Sequence, residues 1–297
     1  MAYEYVTLNE EISIDKIVTI HYYEYMSDYY YSGESHNFWE FLCVDKGEVD
    51  VMADSSKYSL KTGEIIFHKP NEFHNLKANG RIAPNLVVIS FICDSPAMDF
   101  FNHKILSISE SERNLLAQII IEAKNSFSSA LDDPYLSKLE RCTTSAFASE
   151  QLIKLYLQQF LIHMVRRNTT KILQAPPTKS TKKKNDEDFY GRILHYLEEH
   201  LYTHVSIDQI CKDNLIGRSQ LQKLFRDRHD CGIIDYYSKM KIDAAKQLIR
   251  ENHYNFTQIS DMLGYTSVHY FSRQFKKITG MTPSEYAYSI KLLSEKH

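Results

Sequence analysis

Three groups of side chains in this 297-residue sequence have types and spacings that could do chemistry. Six of the 21 tyrosines crowd into one short stretch: Tyr22, Tyr23, Tyr25, Tyr29, Tyr30 and Tyr31. Rings facing a barrel interior could line a pocket for a sugar or an aromatic ligand. The run Lys182-Lys183-Lys184 could meet phosphate, although a solvated linker is the simpler reading. Near the C-terminus two stretches match at an offset of 50, pairing Leu221 with Phe271, Lys223 with Arg273, Phe225 with Phe275 and Tyr236 with Tyr286. A repeat of that length implies two copies of one supersecondary unit, each offering a cation at the same place. The cysteines, Cys43, Cys93, Cys142, Cys211 and Cys231, are scattered and never form a CxxC pair. That argues for a reducing interior and against structural zinc.

The elements that must position these groups change in texture along the chain. From His21 to Cys93, β-rich runs such as Phe41–Val44, Val49–Met52, Tyr58–Lys61, Glu64–Phe67 and Leu86–Ile92 alternate with turn residues. That spacing reads as a small sandwich or barrel. After Ile105 the pattern becomes helical, with one helix opening at Ser111 and a second over Gln151–Arg167. The apolar face of the second is broad enough to pack against its own domain and something else besides. The polar stretch from Asn168 to Asp188, with Pro176-Pro177, reads as a linker. Residues 1–170 hold 15 basic and 23 acidic side chains, a net of −8; residues 171–297 hold 20 and 15, a net of +5. A basic end on an acidic partner suits phosphate contact confined to that end. No apolar run approaches the length of a membrane span, Leu86–Cys93 being the longest candidate, and the N-terminal residues lack an export pattern.

Within the repeat, Ser206-Ile207-Asp208-Gln209 reads as a capping box, Asn255-Phe256-Thr257-Gln258 as a weaker one, and Thr282-Pro283-Ser284-Glu285 repeats the theme with proline at the first helical position. Gly264 permits the left-handed turn between two short helices. A helix over Tyr236–Arg250, with Tyr237, Met240, Ala244, Ala245 and Leu248 apolar, can hold the two units rigidly apart. The run from Ile259 to Lys277, followed by Thr279-Gly280-Met281-Thr282-Pro283-Ser284-Glu285-Tyr286, resembles the signature of AraC/XylS-family regulators. The likeness covers residues 188–290 and is most specific in the second unit. It implies two helix-turn-helix units, each placing one helix in a major groove of double-stranded DNA. Successive grooves lie ~34 Å apart, so a rigid linking helix implies slightly bent DNA.

Helix geometry and the resemblance together assign roles. On the second recognition helix His269, Tyr270 and Arg273 point outward over a core of Phe271 and Phe275, with Arg273 suited to a guanine edge. On the first, Ser219, Gln222 and Lys223 stand outward over Leu221, Leu224 and Phe225; Gln222 suits adenine and Lys223 guanine. Arg218, Arg226 and Lys276 suit phosphate. The first unit departs from the family pattern, with Leu215 where glycine or asparagine is usual, Gly217 in place of a serine or threonine cap, and Asp230 where the second unit has Gly280. Asn214 is therefore expected to take the left-handed conformation in a shifted turn, and the second unit to contribute more to specificity.

At the other end, His36-Asn37-Phe38-Trp39-Glu40 followed by Gly47 resembles part of the first cupin motif, and Gly63 through Pro70 to His74 loosely resembles the second. Metal cupins use two histidines and a glutamate from the first motif with a histidine from the second; Glu34 stands where the first histidine would be, leaving His36, Glu40 and His74. Regulators of the resembled kind commonly keep the barrel without the metal, so neither metal nor cofactor is expected. The effector pocket is placed at Tyr25, His36, Trp39, Glu40 and His74. The sequence thus implies an α+β chain: a cupin-like sensor barrel (1–105), a helical dimerisation segment (106–170), a linker (171–187) and an all-α domain with two helix-turn-helix units (188–297). The function implied is a cytoplasmic transcription regulator, an activator by family tendency and not an enzyme. Its expected partners are DNA, RNA polymerase, a small-molecule effector and a second copy of the chain, with no membrane. The alternatives are a regulator without a small-molecule ligand, constitutive or controlled by a protein partner, and a metal-dependent cupin enzyme.

Overall fold

The computed structural model describes residues 3–169 and 181–294 and divides into two compact units near residue 173. In the first unit nine antiparallel strands form two sheets. One is ordered β1 (Lys16–Glu24), β8 (Asn85–Ile92), β3 (Trp39–Lys46), β6 (Glu64–His68), β9 (Ile105–Ser107). The other is ordered β2 (Tyr30–Glu34), β7 (His74–Ala78), β4 (Glu48–Ala53), β5 (Ser56–Lys61). The crossing between sheets makes this the expected barrel-like sandwich.

Strand β3 is buried on both faces, and its alternation builds two cores. Leu42 and Val44 turn between the sheets to meet Leu60, Val51 and Val88. Trp39, Phe41 and Cys43 turn outward, where helices α1 (Glu110–Ser126) and α2 (Ser149–Thr169) cover them. Ser109 caps α1 in a full capping box with Glu112. The buried Glu112 carboxylate also receives Arg167 near the end of α2, at 3.0 Å, tying the two helices together. Helix α2 buries Ile153, Leu157, Phe160, Leu161 and Met164 on that core, while Leu155 stays 49% exposed and Leu152, Tyr156 and Ile162 are only partly covered.

The second unit is all helix: α3 (Thr181–Glu199), α4 (Ile207–Asp213), α5 (Arg218–His229), α6 (Ile233–Glu251), α7 (Phe256–Met262), α8 (Val268–Thr279) and α9 (Pro283–Ser294). Helices α4–α5 and α7–α8 are the two helix-turn-helix units, with α6 between them. Of the expected linker, Pro176-Pro177 lies outside the described residues. Its two ends belong to helices instead: Asn168 and Thr169 close α2, and residues from Thr181 onward, the lysine run included, open α3. Polar composition alone does not break a helix, since lysine and glutamate are strong helix formers.

The caps invert one expectation. Ser206 accepts from the Gln209 amide, but the Gln209 side chain donates to Asp213 at 2.7 Å, so the box is half made. Asn255 and Gln258 make the complete one, each accepting the other's backbone amide at 2.9 Å. Thr282 and Glu285 also satisfy each other.

The first turn needs a larger correction. Asn214 keeps φ −103°, and Leu215 takes the left-handed conformation with φ 53°. It thereby stands in for Gly264, at φ 66°. Both are the hinge that ends the short helix, and this geometry outweighs the side chain's steric objection.

Candidate ligand cavity and nucleic-acid interface

A cavity of about 460 Å³ opens between the two sheets of the first unit. One wall is a column of stacked rings: His21 on Tyr23 at 4.6 Å, Tyr23 on Tyr25 at 4.8 Å and Tyr25 on Tyr29 at 3.6 Å. Strand alternation explains the selection, because Tyr23 and Tyr25 project inward from β1 and its extension while Tyr22 turns away to donate to Asp45 at 2.8 Å. Tyr31 also lines the space, whereas Tyr30 is exposed. Burial raises the Tyr25 phenol well above its ordinary pKa, so the column stays neutral and donates hydrogen bonds. Pro134, Tyr135 and Leu136, from the α1–α2 connection, complete the lining.

Opposite the rings lies a polar cluster. Glu40 projects inward from β3 and accepts from Ser90 at 2.6 Å, which in turn accepts from Thr19 at 3.0 Å. The Glu40 carboxylate also faces two imidazoles, His36 Nε2 at 3.6 Å and His74 Nε2 at 3.3 Å. Burial alone would raise the Glu40 pKa; the two histidines and Ser90 more than offset it and hold the carboxyl well below its usual range. Burial also opposes protonation of His74, yet the Glu40 carboxylate leaves its pKa above the ordinary value. His68 stacks on His74 at 4.2 Å, contacts Glu72 at 3.0 Å, and is pulled below its ordinary pKa by burial.

Of the five residues expected at an effector pocket, Tyr25, His36, Glu40 and His74 border the cavity. Trp39 does not. It neighbours Glu40 on a strand, so it must face the opposite side, and it lies 6% exposed in the core beneath α1 and α2. The sequence reading missed His21, Thr19 and Ser90, and passed over Glu34 as the place of a lost histidine. Glu34 carried a usable signal in the preceding Gly33, which has φ 104° and no room for a Cβ against His74 O at 2.6 Å. That glycine lets β2 bulge and sets Glu34 opposite His74 in the ladder.

In the reader, Leu221 and Phe225 on α5 and Phe271 and Phe275 on α8 are fully buried, which turns the opposite faces to solvent. Arg218, Ser219, Lys223 and Arg226 are exposed on α5, and His269, Tyr270, Arg273 and Lys276 on α8. Arg218 rests 3.4 Å from Asp208, and the Arg273 guanidinium lies 5.9 Å from the Tyr270 ring centre. Gln222 is half-buried and leans over the start of α6, so close that a Cβ at Gly232 would meet its Oε1 at 2.9 Å. Leu224 is half-buried, not fully in the core. Ser267 caps α8 through the Tyr270 amide, while Gly217 gives α5 no side-chain cap.

Helix α6 holds the two units through a residue absent from the sequence reading. Lys241 is 6% exposed and donates to Thr203 O at 2.5 Å, ahead of the first unit, and to Leu263 O at 2.6 Å, in the turn of the second. Burial pulls its amine down to about 8. Its signal was a lysine in step with the apolar stripe Tyr237, Ala245, Leu248.

These features define a class, a tandem helix-turn-helix protein that also carries a ligand-binding type of barrel. A family model described as a helix-turn-helix domain matches residues 210–288, and one described as an AraC-like ligand binding domain matches residues 17–87. The chain belongs to the AraC family. Among its relatives are the "Probable transcriptional regulator LumQ" of Photobacterium leiognathi, 29% identical over 33% of this chain and 40% of the relative, and the raffinose operon transcriptional regulatory protein RafR of Pediococcus pentosaceus, 29% identical over 59% and 65%. The chain therefore spans less than two thirds of either relative. Similar solved structures include ToxT from Vibrio cholerae O395 (TM-score 0.34, 16% identity, 92% of this chain and 97% of that one) and the C-terminal domain of AraT, a response regulator from Geobacillus stearothermophilus (TM-score 0.33, 20% identity, 34% and 84%). No helix among the described residues is long and apolar enough to cross a membrane.

Proposed function

We propose that the chain is a sequence-specific transcription regulator, with two helix-turn-helix units reading double-stranded DNA and the barrel sensing a small molecule. The observation that carries this reading is the matched pair of amphipathic helices α5 and α8. Each buries two large apolar side chains and exposes cations on the opposite face, the form of a helix made to enter a major groove. Arg273, Lys223, Gln222, His269 and Ser219 are the base-reading candidates, with Tyr270 beside Arg273; Arg218, Arg226 and Lys276 set register on phosphate. The tyrosine column and the polar cluster opposite it suit a small ligand that has a flat or sugar-like face and hydroxyls to share. Such a ligand alters transcription by favouring one arrangement of the protein on DNA and at RNA polymerase, with dimerisation through α2 bringing two readers together. The chain acts in the cytoplasm as a regulator and not as an enzyme, since both matched domains and the named relatives are of regulators.

Selection of bound DNA from a random pool by the full-length protein tests this directly. A recurrent motif with two half-sites about one helical turn apart is expected at physiological salt. Retention with no sequence preference, falling away as salt rises, would overturn it.

A further inference from the structure

The lining of the cavity in the first unit is one-sided in charge. It contains two carboxylates, Glu34 and Glu40, and neither lysine nor arginine. Burial pulls His21 and His68 below their ordinary pKa, so neither ring supplies a cation, and His21 lies in the fields of Glu40, Asp133 and Asp132. Against its own burial His74 is held above its ordinary pKa by Glu40, and that carboxylate, 3.3 Å away, takes up the imidazolium charge. Two carboxylates thus face one imidazolium. An anion entering here must break the Glu40–His74 pair, and a neutral molecule gains nothing from the field. A cation gains from it, and in a partly enclosed space that attraction is weakly screened.

The same place holds a polar atom that lacks a partner. His36 Nδ1 lies 3.1 Å from Phe38 O, and since a carbonyl only accepts, that nitrogen carries a proton. The His36 side chain is 9% exposed, and its Nε2, 3.6 Å from Glu40, has no hydrogen-bond partner among the described residues. One oxygen each from Glu34 and Glu40 and one nitrogen each from His36 and His74 lie within 4.8 Å of one another. Charge-assisted N–H···O bonds are about 2.8 Å long, so two acceptors served by one tetrahedral nitrogen stand about 4.6 Å apart. A single ammonium head therefore reaches Glu34 and Glu40 together, beside His36 Nε2. The position of Glu34 is built: the cramped Gly33 sets it opposite His74, and the Tyr31 hydroxyl donates to it. Away from the carboxylates, Leu42, Val51, Leu76, Val88 and the tyrosine column line the space. Those surfaces suit an aromatic body, and electron-rich phenols add to the attraction for a cation.

We infer that the cavity takes a small organic cation, a primary ammonium on an aromatic body, with Glu34 and Glu40 holding the head and the tyrosines the ring. This rests on the reading of the barrel as a small-molecule sensor and narrows it to one class of ligand.

Matched probes test it on the full-length protein. Benzyl, phenylethyl and phenylpropyl bodies are each supplied as the amine, the alcohol and the carboxylate, so that only the charge of the head changes. Thermal unfolding at about 5 mM probe screens them, since a ligand of the folded state raises the midpoint. Titration calorimetry then ranks those that bind. At least one amine is expected to bind tenfold or more tighter than its own alcohol, with its carboxylate weaker still. Glu34 is exposed, so Glu34→Gln keeps the fold, checked by an unchanged midpoint without probe. It should weaken the amine by roughly tenfold and leave the alcohol as it was. Alcohols or carboxylates binding as tightly as the amines would overturn the cation and leave the sensor standing. An amine held equally well by Glu34→Gln would overturn the site. Failure of all nine probes would overturn the cation and the sensing cavity together.

Discussion

At the scale of single residues, the two turns of the reader offer a matched experiment within one chain. Leu215 and Gly264 both occupy left-handed backbone, but only Leu215 carries a Cβ there, at a cost of about 1–2 kcal/mol. Because Leu215 is 94% exposed, no buried contact offsets that strain. Leu215→Gly is therefore expected to stabilise the protein by about 0.5–1 kcal/mol, net of the extra chain entropy glycine brings to the unfolded state. Chemical denaturation checks it, and an unchanged or lower midpoint would refute the strain. A second residue-level prediction concerns base reading. Arg273 projects from a helix capped by Ser267, whereas Lys223 projects from one with no side-chain cap and lacks a planar fork. Arg273→Ala should cost about 1–3 kcal/mol of discrimination at one base position, more than Lys223→Ala. Arg226→Ala should weaken all sites alike and flatten the salt dependence. Footprinting on a selected site separates these outcomes, and a larger specificity loss from Lys223→Ala would reverse the ranking.

At the scale of elements, α6 does more than space the units. Lys241 clamps carbonyls belonging to both, and beside it Gly264 approaches Thr203 and His204 so closely that a Cβ would lie 2.8 Å from their backbone. The lysine's pKa of about 8 lies below its ordinary value, so between about pH 8 and 10.5 the unfolded chain binds more protons than the folded one. Stability attributable to Lys241 must therefore rise with pH across that window. The facing phenols do not interfere, because burial pushes Tyr237 up to about 12 and Tyr265 higher still. The difference in unfolding free energy between wild type and Lys241→Met should grow in favour of wild type from pH 8 to 10. A difference independent of pH would show that the amine is not shifted. Elements with strong local signals were legible from sequence: the period-two strands, the capped helices and the 50-residue repeat are decided by neighbours a few positions apart. What escaped depends on neighbours far along the chain. Lys241 looked like an interruption of an apolar stripe until Thr203 and Leu263 supplied acceptors, and Glu34 looked like a lost histidine until β7 placed His74 opposite it. Trp39 is a different case, because alternation along β3 already forbids it from sharing a face with Glu40.

At the scale of the whole molecule, the reader and the sensing cavity belong to different units, and α2 belongs to the sensor. The proposed dimer would use its outer face. Leu152, Leu155, Tyr156 and Ile162 line a groove with Leu8 and Ile12, where the N-terminal segment is fixed by Gln158 donating to Ile12 O at 2.8 Å and to Glu10 at 3.0 Å. An apolar groove along a helix suits an isologous interface, since the same surface on a second chain supplies the complement. Two readers joined this way bind paired sites by avidity, so losing the dimer should weaken DNA binding without touching a base-reading residue. Leu155→Glu places a charge on this face, and because the side chain is half exposed the monomer should fold as before. Sedimentation at micromolar concentration should show a dimer for wild type and a monomer for the variant. The variant should also lose roughly tenfold or more in affinity for a paired site while keeping its affinity for a single one. A wild-type monomer would remove α2 as the interface. A dimer unaffected by Leu155→Glu would move the contact to another face.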